Sequence, residues 1–137
     1  MATNIVMIVG LPASGKTTYA KNHYGNIENC YIADDFSISP SMHIEQIQNL
    51  NPERIVIVDP LLCTASVRNV EEIIKKMLGI EINSFEWVYF ENDPISCKNN
   101  AKNRVDGRSV AVDIDVLSRR YKIPSNSKIL PVFKNVS

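Results

Sequence analysis

Four residues near the start of the chain have the types and the spacing that bind a phosphate. Gly10, Gly15, Lys16 and Thr17 match the pattern G-x-x-x-x-G-K-[ST], the P-loop, between an apolar run and a helical pattern. The glycines allow backbone N–H groups to surround a phosphate. The lysine can reach the β- and γ-phosphates, and the threonine hydroxyl can bind Mg²⁺. The sequence therefore predicts a nucleoside triphosphate site, and the competing interpretation is a glycine-containing turn with a surface lysine.

The predicted nucleotide site extends over the whole loop and into the helix after it. Loop N–H groups and the positive end of the helix would both face a phosphate. Lys16 is also predicted to be catalytic, because it would contact the transferred phosphoryl group. ATP and Mg²⁺ are the expected cofactors. The residues of this segment assigned to nucleotide binding are Gly10, Ala13, Ser14, Gly15, Lys16, Thr17 and Thr18.

Carboxylates follow two further apolar runs, "CYIA" and "RIVIV". Asp59, after the second run, suits the Mg²⁺ site together with Thr17, although an Asp-Pro turn is the competing interpretation. Asp34 and Asp35 follow the first run, and a kinase needs a group that accepts the proton of the attacking hydroxyl. Asp34 is the preferred general base and Asp35 its rival, because adjacent side chains point in different directions. A helix cap or a solvated turn is the alternative for both.

Basic residues cluster in the segment "CKNNAKNRVDGRS", at the end of a predicted helix and in the loop after it. Phosphoryl transfer spreads negative charge over three oxygens, and an arginine that closes over them stabilises the transition state. Arg104, at the junction of helix and loop, is the preferred catalytic arginine. Arg108 is its rival and is assigned to nucleotide binding. Lys98 and Lys102 are interpreted as a solvated basic face.

Strand-like and helix-like segments alternate along the chain. Strands are predicted at 5–9, 30–33, 54–58 and 86–90, with a last short strand in the tail, and helices at 15–23, 40–50 and 94–104. A further helix is predicted between a cap at Thr64 and a stop at Gly79, and "DIDVLSRRY" is another. This alternation is typical of an α/β fold with a parallel sheet covered on both faces, whose active site lies at the carboxyl ends of the strands.

Some residues are expected to be structural or receive no role. The apolar face of the helix before Gly79 is assigned to Val67, Val70, Ile73, Ile74 and Met77. Trp87 and Tyr89 share one face of a strand and are expected in the core. His43 is expected on a surface helix without a function, and the tail after position 121 carries no functional signal.

Composition narrows the class of protein. The 137 residues suffice for one domain, and fifteen basic residues balance fifteen acidic ones. This balance counts against a large nucleic-acid footprint but leaves room for a short basic groove. Three cysteines without CxxC spacing argue against a disulfide framework or a zinc site. With no signal-peptide pattern and no apolar run of about 18 residues, a cytoplasmic protein without a membrane partner is expected.

The order of the motifs resembles the 5′-hydroxyl kinase domain of bacteriophage polynucleotide kinase. The segments that carry the resemblance are GLPASGKTTYA, ADDF, VIVD, KNNAKNR and VDIDVLSRRYK. The resemblance implies an adenylate-kinase-like P-loop kinase: one domain over residues 1–137, a three-layer sandwich with a parallel central sheet and a small helical lid at about 94–121. It also implies that the strands before Gly10 and Asp59 are neighbours, that Lys16 and Thr17 hold ATP and Mg²⁺, that Asp34 is the base and that Arg104 is the lid arginine.

The acceptor side departs from the family pattern, so several functions stay open. Ser37 stands where the family has an arginine, the segment 36–54 has room for only one short helix, and residues 105–108 lengthen the lid. The first hypothesis is a kinase for the 5′-OH of a polynucleotide. The alternatives are a kinase for a nucleoside, a nucleotide or a hydroxymethylated DNA base, and a nucleotide-binding module that hydrolyses without transfer. The sequence gives neither the oligomeric state nor the preferred nucleoside triphosphate.

Overall fold

The computed structural model describes residues 2–102 and 111–134. Within these ranges the sheet has five parallel strands: β1 (Thr3–Val9), β2 (Cys30–Asp34), β3 (Arg54–Val58), β4 (Ile82–Phe90) and β5 (Lys128–Leu130). Their spatial order is β2-β3-β1-β4-β5. The helices are α1 (Lys16–Tyr24), α2 (Pro40–Leu50), α3 (Val67–Leu78), α4 (Pro94–Lys102) and α5 (Ala111–Arg120), and a 3₁₀ helix spans Pro60–Thr64.

The apolar runs become the central strands because both faces of the sheet are covered. On one face, Ile5 and Met7 of β1 pack with Ile47 of α2 and with Ile74 and Leu78 of α3. On the opposite face, alternate residues of the same strands pack with Ala20 of α1. A third cluster near the strand ends includes side chains of α4 and α5. The predicted α/β sandwich with a parallel central sheet is confirmed.

The strand order brings the chemically active segments to one edge of the sheet. Ile8 of β1 pairs with Val58 of β3. Gly10 and Asp59, which follow these strands, therefore lie next to each other at the same edge of the sheet. Asp34, the last residue of β2, pairs with Val58 on the other side of β3. The predicted adjacency of the Gly10 and Asp59 strands is therefore observed.

The start of α3 differs from the prediction. Thr64 does not cap this helix but ends the 3₁₀ helix, and the N-cap is Ser66, two residues later. The buried face is also rotated: Ile74 and Leu78 are buried, whereas Ile73 is 54% exposed. The 3₁₀ helix that follows Asp59 includes the predicted cap itself, so the cap role passes to Ser66. Gly79 ends the helix in a left-handed conformation (φ 60°), as expected.

The expected core position of Trp87 and Tyr89 is observed, whereas the expected surface position of His43 is wrong. Trp87 and Tyr89 stack on each other with ring centroids 6.1 Å apart, and Tyr89 is buried, as predicted for core residues. His43 is buried rather than on the surface, because it lies one helical turn before the buried Ile47 on the same face of α2. None of the helices in the described ranges has the length and apolar character that a membrane span needs.

Candidate active site

A cleft of about 760 Å³ opens at the carboxyl edge of the sheet. The P-loop forms its floor, the ends of β2 and β3 form one wall, and one face of α5 forms another. Residues from distant parts of the sequence complete it, namely Asn100 of α4 and Phe133 of the tail. The cleft therefore lies where the ligands of parallel α/β sheets bind.

The P-loop leaves no room for a side chain at its two glycines, and at Gly15 the backbone conformation also favours glycine. Gly15 has φ 101°, and a Cβ there would lie 2.8 Å from the Cβ of Phe133. A Cβ on Gly10 would lie 2.6 Å from the Ser14 Oγ and 3.0 Å from the Cβ of Phe90. A side chain at Gly15 would strain the backbone, and one at Gly10 would displace the Ser14 hydroxyl and press on Phe90. The tight loop that a bound phosphate requires is thus built into the fold.

Lys16 turns its amine inward, into the loop. Only 6% of the residue is exposed, and Nζ donates a hydrogen bond to the backbone oxygen of Leu11 at 2.7 Å. The Ser14 Oγ lies 3.5 Å from the same amine. Burial lowers the pKa of this amine from its ordinary value to about 8. A phosphate in the loop would supply the negative charge that best stabilises the protonated form.

The predicted carboxylates line the cleft beside the loop. The Thr17 hydroxyl donates a hydrogen bond to Asp34 Oδ1 at 3.0 Å. Asp59 is 3% exposed, and its Oδ2 accepts a hydrogen bond from the backbone N–H of Ser37 at 2.6 Å. Asp35 is exposed and has a left-handed backbone (φ 50°). Asp34 is thus in direct contact with the threonine predicted to bind Mg²⁺, and Asp59 also fixes the backbone after β2.

A buried histidine is hydrogen-bonded to the backbone of Asp34, and the sequence analysis did not predict this contact. His43 Nε2 lies 3.0 Å from the backbone oxygen of Asp34, and Nδ1 lies 2.7 Å from the Tyr31 hydroxyl. A carbonyl oxygen only accepts, so Nε2 carries the proton, and in the neutral ring Nδ1 accepts from tyrosine. Phe36 stacks on the imidazole with centroids 5.8 Å apart. The spacing of His43 and Ile47, four residues apart on one helix face, was the available signal.

The tail after β5 contacts the P-loop directly. The backbone N–H of Phe133 donates to the Ser14 backbone oxygen at 3.0 Å. The Asn100 side-chain amide donates to the backbone oxygen of Ala13 at 3.0 Å and also to that of Phe133. No local pattern pointed to these contacts, because that of Phe133 depends on the pairing of β5 with β4 and that of Asn100 on the packing of α4 near the strand ends.

The predicted lid arginines, Arg104 and Arg108, lie outside the described residues. The helices on either side of them, α4 and α5, are joined by an ion pair between Lys98 and Asp115. The Lys98 side chain is partly exposed, so the interpretation as a solvated face stays a prediction, and the ion pair with Asp115 is an additional contact. From α5, Asp113, Val116 and Leu117 reach the cleft wall, and the sequence had assigned none of them to the site.

The donor set suits a metal that arrives with a nucleotide. In residues 2–102 and 111–134, no group of three or more His, Cys, Asp or Glu side chains could hold a metal ion by itself. A P-loop does not need such a group, since the threonine hydroxyl, water and phosphate oxygens supply ligands to Mg²⁺. Thr17 could be a direct ligand here, and the Asp59 carboxylate lies at the adjacent strand end. The residues present fit Mg²⁺ bound to a nucleoside triphosphate.

Comparisons with known proteins agree with this geometry. A solved structure, a gluconokinase from Sinorhizobium meliloti 1021, superposes with a TM-score of 0.53 at 12% identity, over 98% of this chain and 84% of that one. The chain thus has the fold of that P-loop kinase, as expected. No protein-family model matches the sequence. The mimivirus (Acanthamoeba polyphaga mimivirus) protein named "Uncharacterized protein R277" is 33% identical over 142 residues, covering 98% of this chain and 100% of R277. The chain belongs to the same family as R277.

Proposed function

We propose that the protein is an ATP-dependent phosphotransferase that moves the γ-phosphoryl group of ATP to a hydroxyl. The observation that carries the proposal is the 3.0 Å hydrogen bond from Thr17 to Asp34, which puts a carboxylate beside the P-loop of a kinase fold. A nucleotide-binding module without transfer also uses a carboxylate to hold Mg²⁺, but Asp59 at the end of β3 is available for that task here, which leaves Asp34 for the acceptor. We also propose that residues 1–137 form one such domain, with the lid at about 94–121.

Each residue of the site would have a distinct role in phosphoryl transfer. The loop N–H groups and the Lys16 amine hold the phosphates and offset the charge that develops on them. Thr17 and Asp59 hold Mg²⁺, which screens the phosphate charge when bound. Asp34 accepts the proton of the acceptor hydroxyl as its oxygen bonds to the γ-phosphorus, while the bond from that phosphorus to the leaving ADP breaks. Arg104, with Arg108 as its rival, is proposed to close over the transferred group.

The first candidate acceptor is the 5′-OH of a polynucleotide, which rests on the resemblance of the motifs. The charge of the cleft favours the second candidate where the acceptor is a free nucleoside or nucleotide; a hydroxymethylated base within DNA would carry the charge of a polyanion. Among the described cleft residues, Lys16 is the one cation, and the carboxylates are Asp34, Asp35, Asp59 and Asp113. A polyanion would be repelled by these carboxylates, whereas a small acceptor would present less charge to them.

The acceptor is tested by following labelled γ-phosphate from ATP with Mg²⁺. For a polynucleotide kinase, we expect label on a single-stranded oligonucleotide with a 5′-OH and none on the same oligonucleotide with a 5′-phosphate. Transfer to nucleosides or nucleotides in a parallel panel, with none to either oligonucleotide, would establish the second candidate. ATP hydrolysis that no acceptor stimulates, with free phosphate as the labelled product, would contradict the phosphotransferase proposal.

His43 is expected to position the proposed base without touching the substrate. Its hydrogen bond to the Asp34 backbone oxygen fixes the end of β2, so His43→Leu should lower kcat by roughly 10- to 100-fold, since small misplacements of a reacting group cost up to about that much. The KM for ATP should change little. His43→Gln, which keeps a side-chain donor and an acceptor, should recover most of the rate. Equal losses in both variants at unchanged thermal stability would argue against this role.

A further inference from the structure

We propose that Phe133 forms the stacking surface for the nucleobase of the donor nucleotide. The inference rests on the proposed function and adds to it the site where the nucleoside half of the donor binds. Phe133 is 56% exposed, lines the cleft and lies directly against the P-loop at Gly15. A large aromatic face is thus open to the space next to the phosphate site.

The backbone that carries this ring is held in place on several sides. The Phe133 N–H is bonded to Ser14, and the Phe133 oxygen accepts from Asn100, which also binds the Ala13 oxygen. One residue earlier, Val132 is buried, and its N–H donates to the Glu91 carboxylate at 3.1 Å. The ring is therefore exposed on a segment that is hydrogen-bonded to the P-loop. Because this segment is already ordered, binding a ligand to the ring costs less conformational entropy.

The strand order places Phe133 on the side of the P-loop where the donor must extend. In-line phosphoryl transfer requires the attacking oxygen and the leaving group on opposite sides of the transferred phosphorus. Asp34, the proposed base, ends β2 at one edge of the sheet, and Phe133 follows β5 at the other edge, with the P-loop after β1 between them. If the acceptor lies towards β2, the ADP part lies towards β4 and β5, where the aromatic ring is exposed.

The chemistry of the surface is that of stacking, to which every nucleobase is suited. Loss of such a contact by alanine substitution weakens binding by about 5- to 100-fold. Inorganic tripolyphosphate has the phosphates of ATP but no base, so its binding affinity should not depend on the Phe133 ring. Comparing the two ligands separates a base contact from a contribution of Phe133 to the shape of the P-loop.

The test is calorimetric binding of ATP and of tripolyphosphate, each with Mg²⁺, to wild type, Phe133→Ala, Phe133→Tyr and Ile129→Ala. Ile129 is the control, because it is 52% exposed in β5 but is not among the cleft residues. We expect Phe133→Ala to weaken ATP binding at least fivefold and to leave tripolyphosphate binding unchanged, while Phe133→Tyr and Ile129→Ala match wild type.

Two results would overturn the inference while leaving the proposed function intact. One is unchanged ATP affinity in Phe133→Ala. The other is an equal loss for ATP and tripolyphosphate, which would show that the tail only supports the loop. Failure of the wild-type protein to bind either ligand would instead contradict the phosphotransferase itself, and the base site with it.

Discussion

Replacing Lys16 by methionine should abolish phosphoryl transfer while the protein stays folded. The lysine amine is the cation that the structure places inside the P-loop, 2.7 Å from the Leu11 backbone oxygen. Without it, the charge on the transferred phosphoryl group loses its nearest fixed counter-charge, and removal of one such preorganised group costs about 10²- to 10³-fold in kcat. We expect turnover to fall by at least that factor, with weaker ATP binding as well.

Methionine is the informative replacement because it retains most of the buried aliphatic stem. The lysine amine is buried, which lowers its pKa to about 8, so its removal relieves a cost of burying charge but loses the hydrogen bond to the Leu11 oxygen, which still accepts from the Ser14 N–H. The free energy of unfolding should therefore change little. Lys21→Met, at a site in the same helix that is exposed, is the control and should behave like wild type. A Lys16→Met rate within tenfold of wild type would refute the P-loop assignment.

The parts of the site that were predictable are those specified by contiguous sequence. Gly10, Gly15, Lys16 and Thr17 form one local motif, and the "RIVIV" run specifies a buried strand that ends at Asp59. The adjacency of those two strands was implied by the resemblance rather than by any local pattern. Once they pair, the carboxylate and the loop must meet, because parallel strands end at the same edge.

The parts that were not predictable depend on contacts between distant segments. Phe133 reaches the P-loop only because β5 pairs with β4, and Asn100 and Asp113 reach the cleft only because α4 and α5 pack near the strand ends. His43 was misplaced for a related reason. A polar residue in an amphipathic helix is usually predicted to be exposed. The burial of His43 is favourable only because it has two tertiary partners, Tyr31 and the Asp34 oxygen.

Asp34→Asn should reduce kcat at least a hundredfold with little change in ATP affinity, in whichever transfer reaction the acceptor panel identifies. The asparagine Oδ1 can still accept the hydrogen bond from Thr17, so the local geometry is kept while the proton acceptor is lost. General-base catalysis contributes about 10²- to 10⁴-fold, which sets the size of the effect. The measurement is steady-state kinetics at saturating ATP, alongside ATP binding by calorimetry.

Asp35→Asn is the matched control, since Asp35 is the neighbouring carboxylate in the same cleft but its backbone takes a left-handed turn. It should retain most of the activity, and a loss confined to Asp35→Asn would show that the base is the second aspartate.

The contact between Asp34 and Thr17 allows a second test, because a carboxylate beside a metal ligand could act on Mg²⁺ instead of on the proton. If the Asp34→Asn rate recovers as the Mg²⁺ concentration is raised, Asp34 serves the metal. If the deficit persists at saturating Mg²⁺, Asp34 serves the acceptor hydroxyl, as expected for the proposed base.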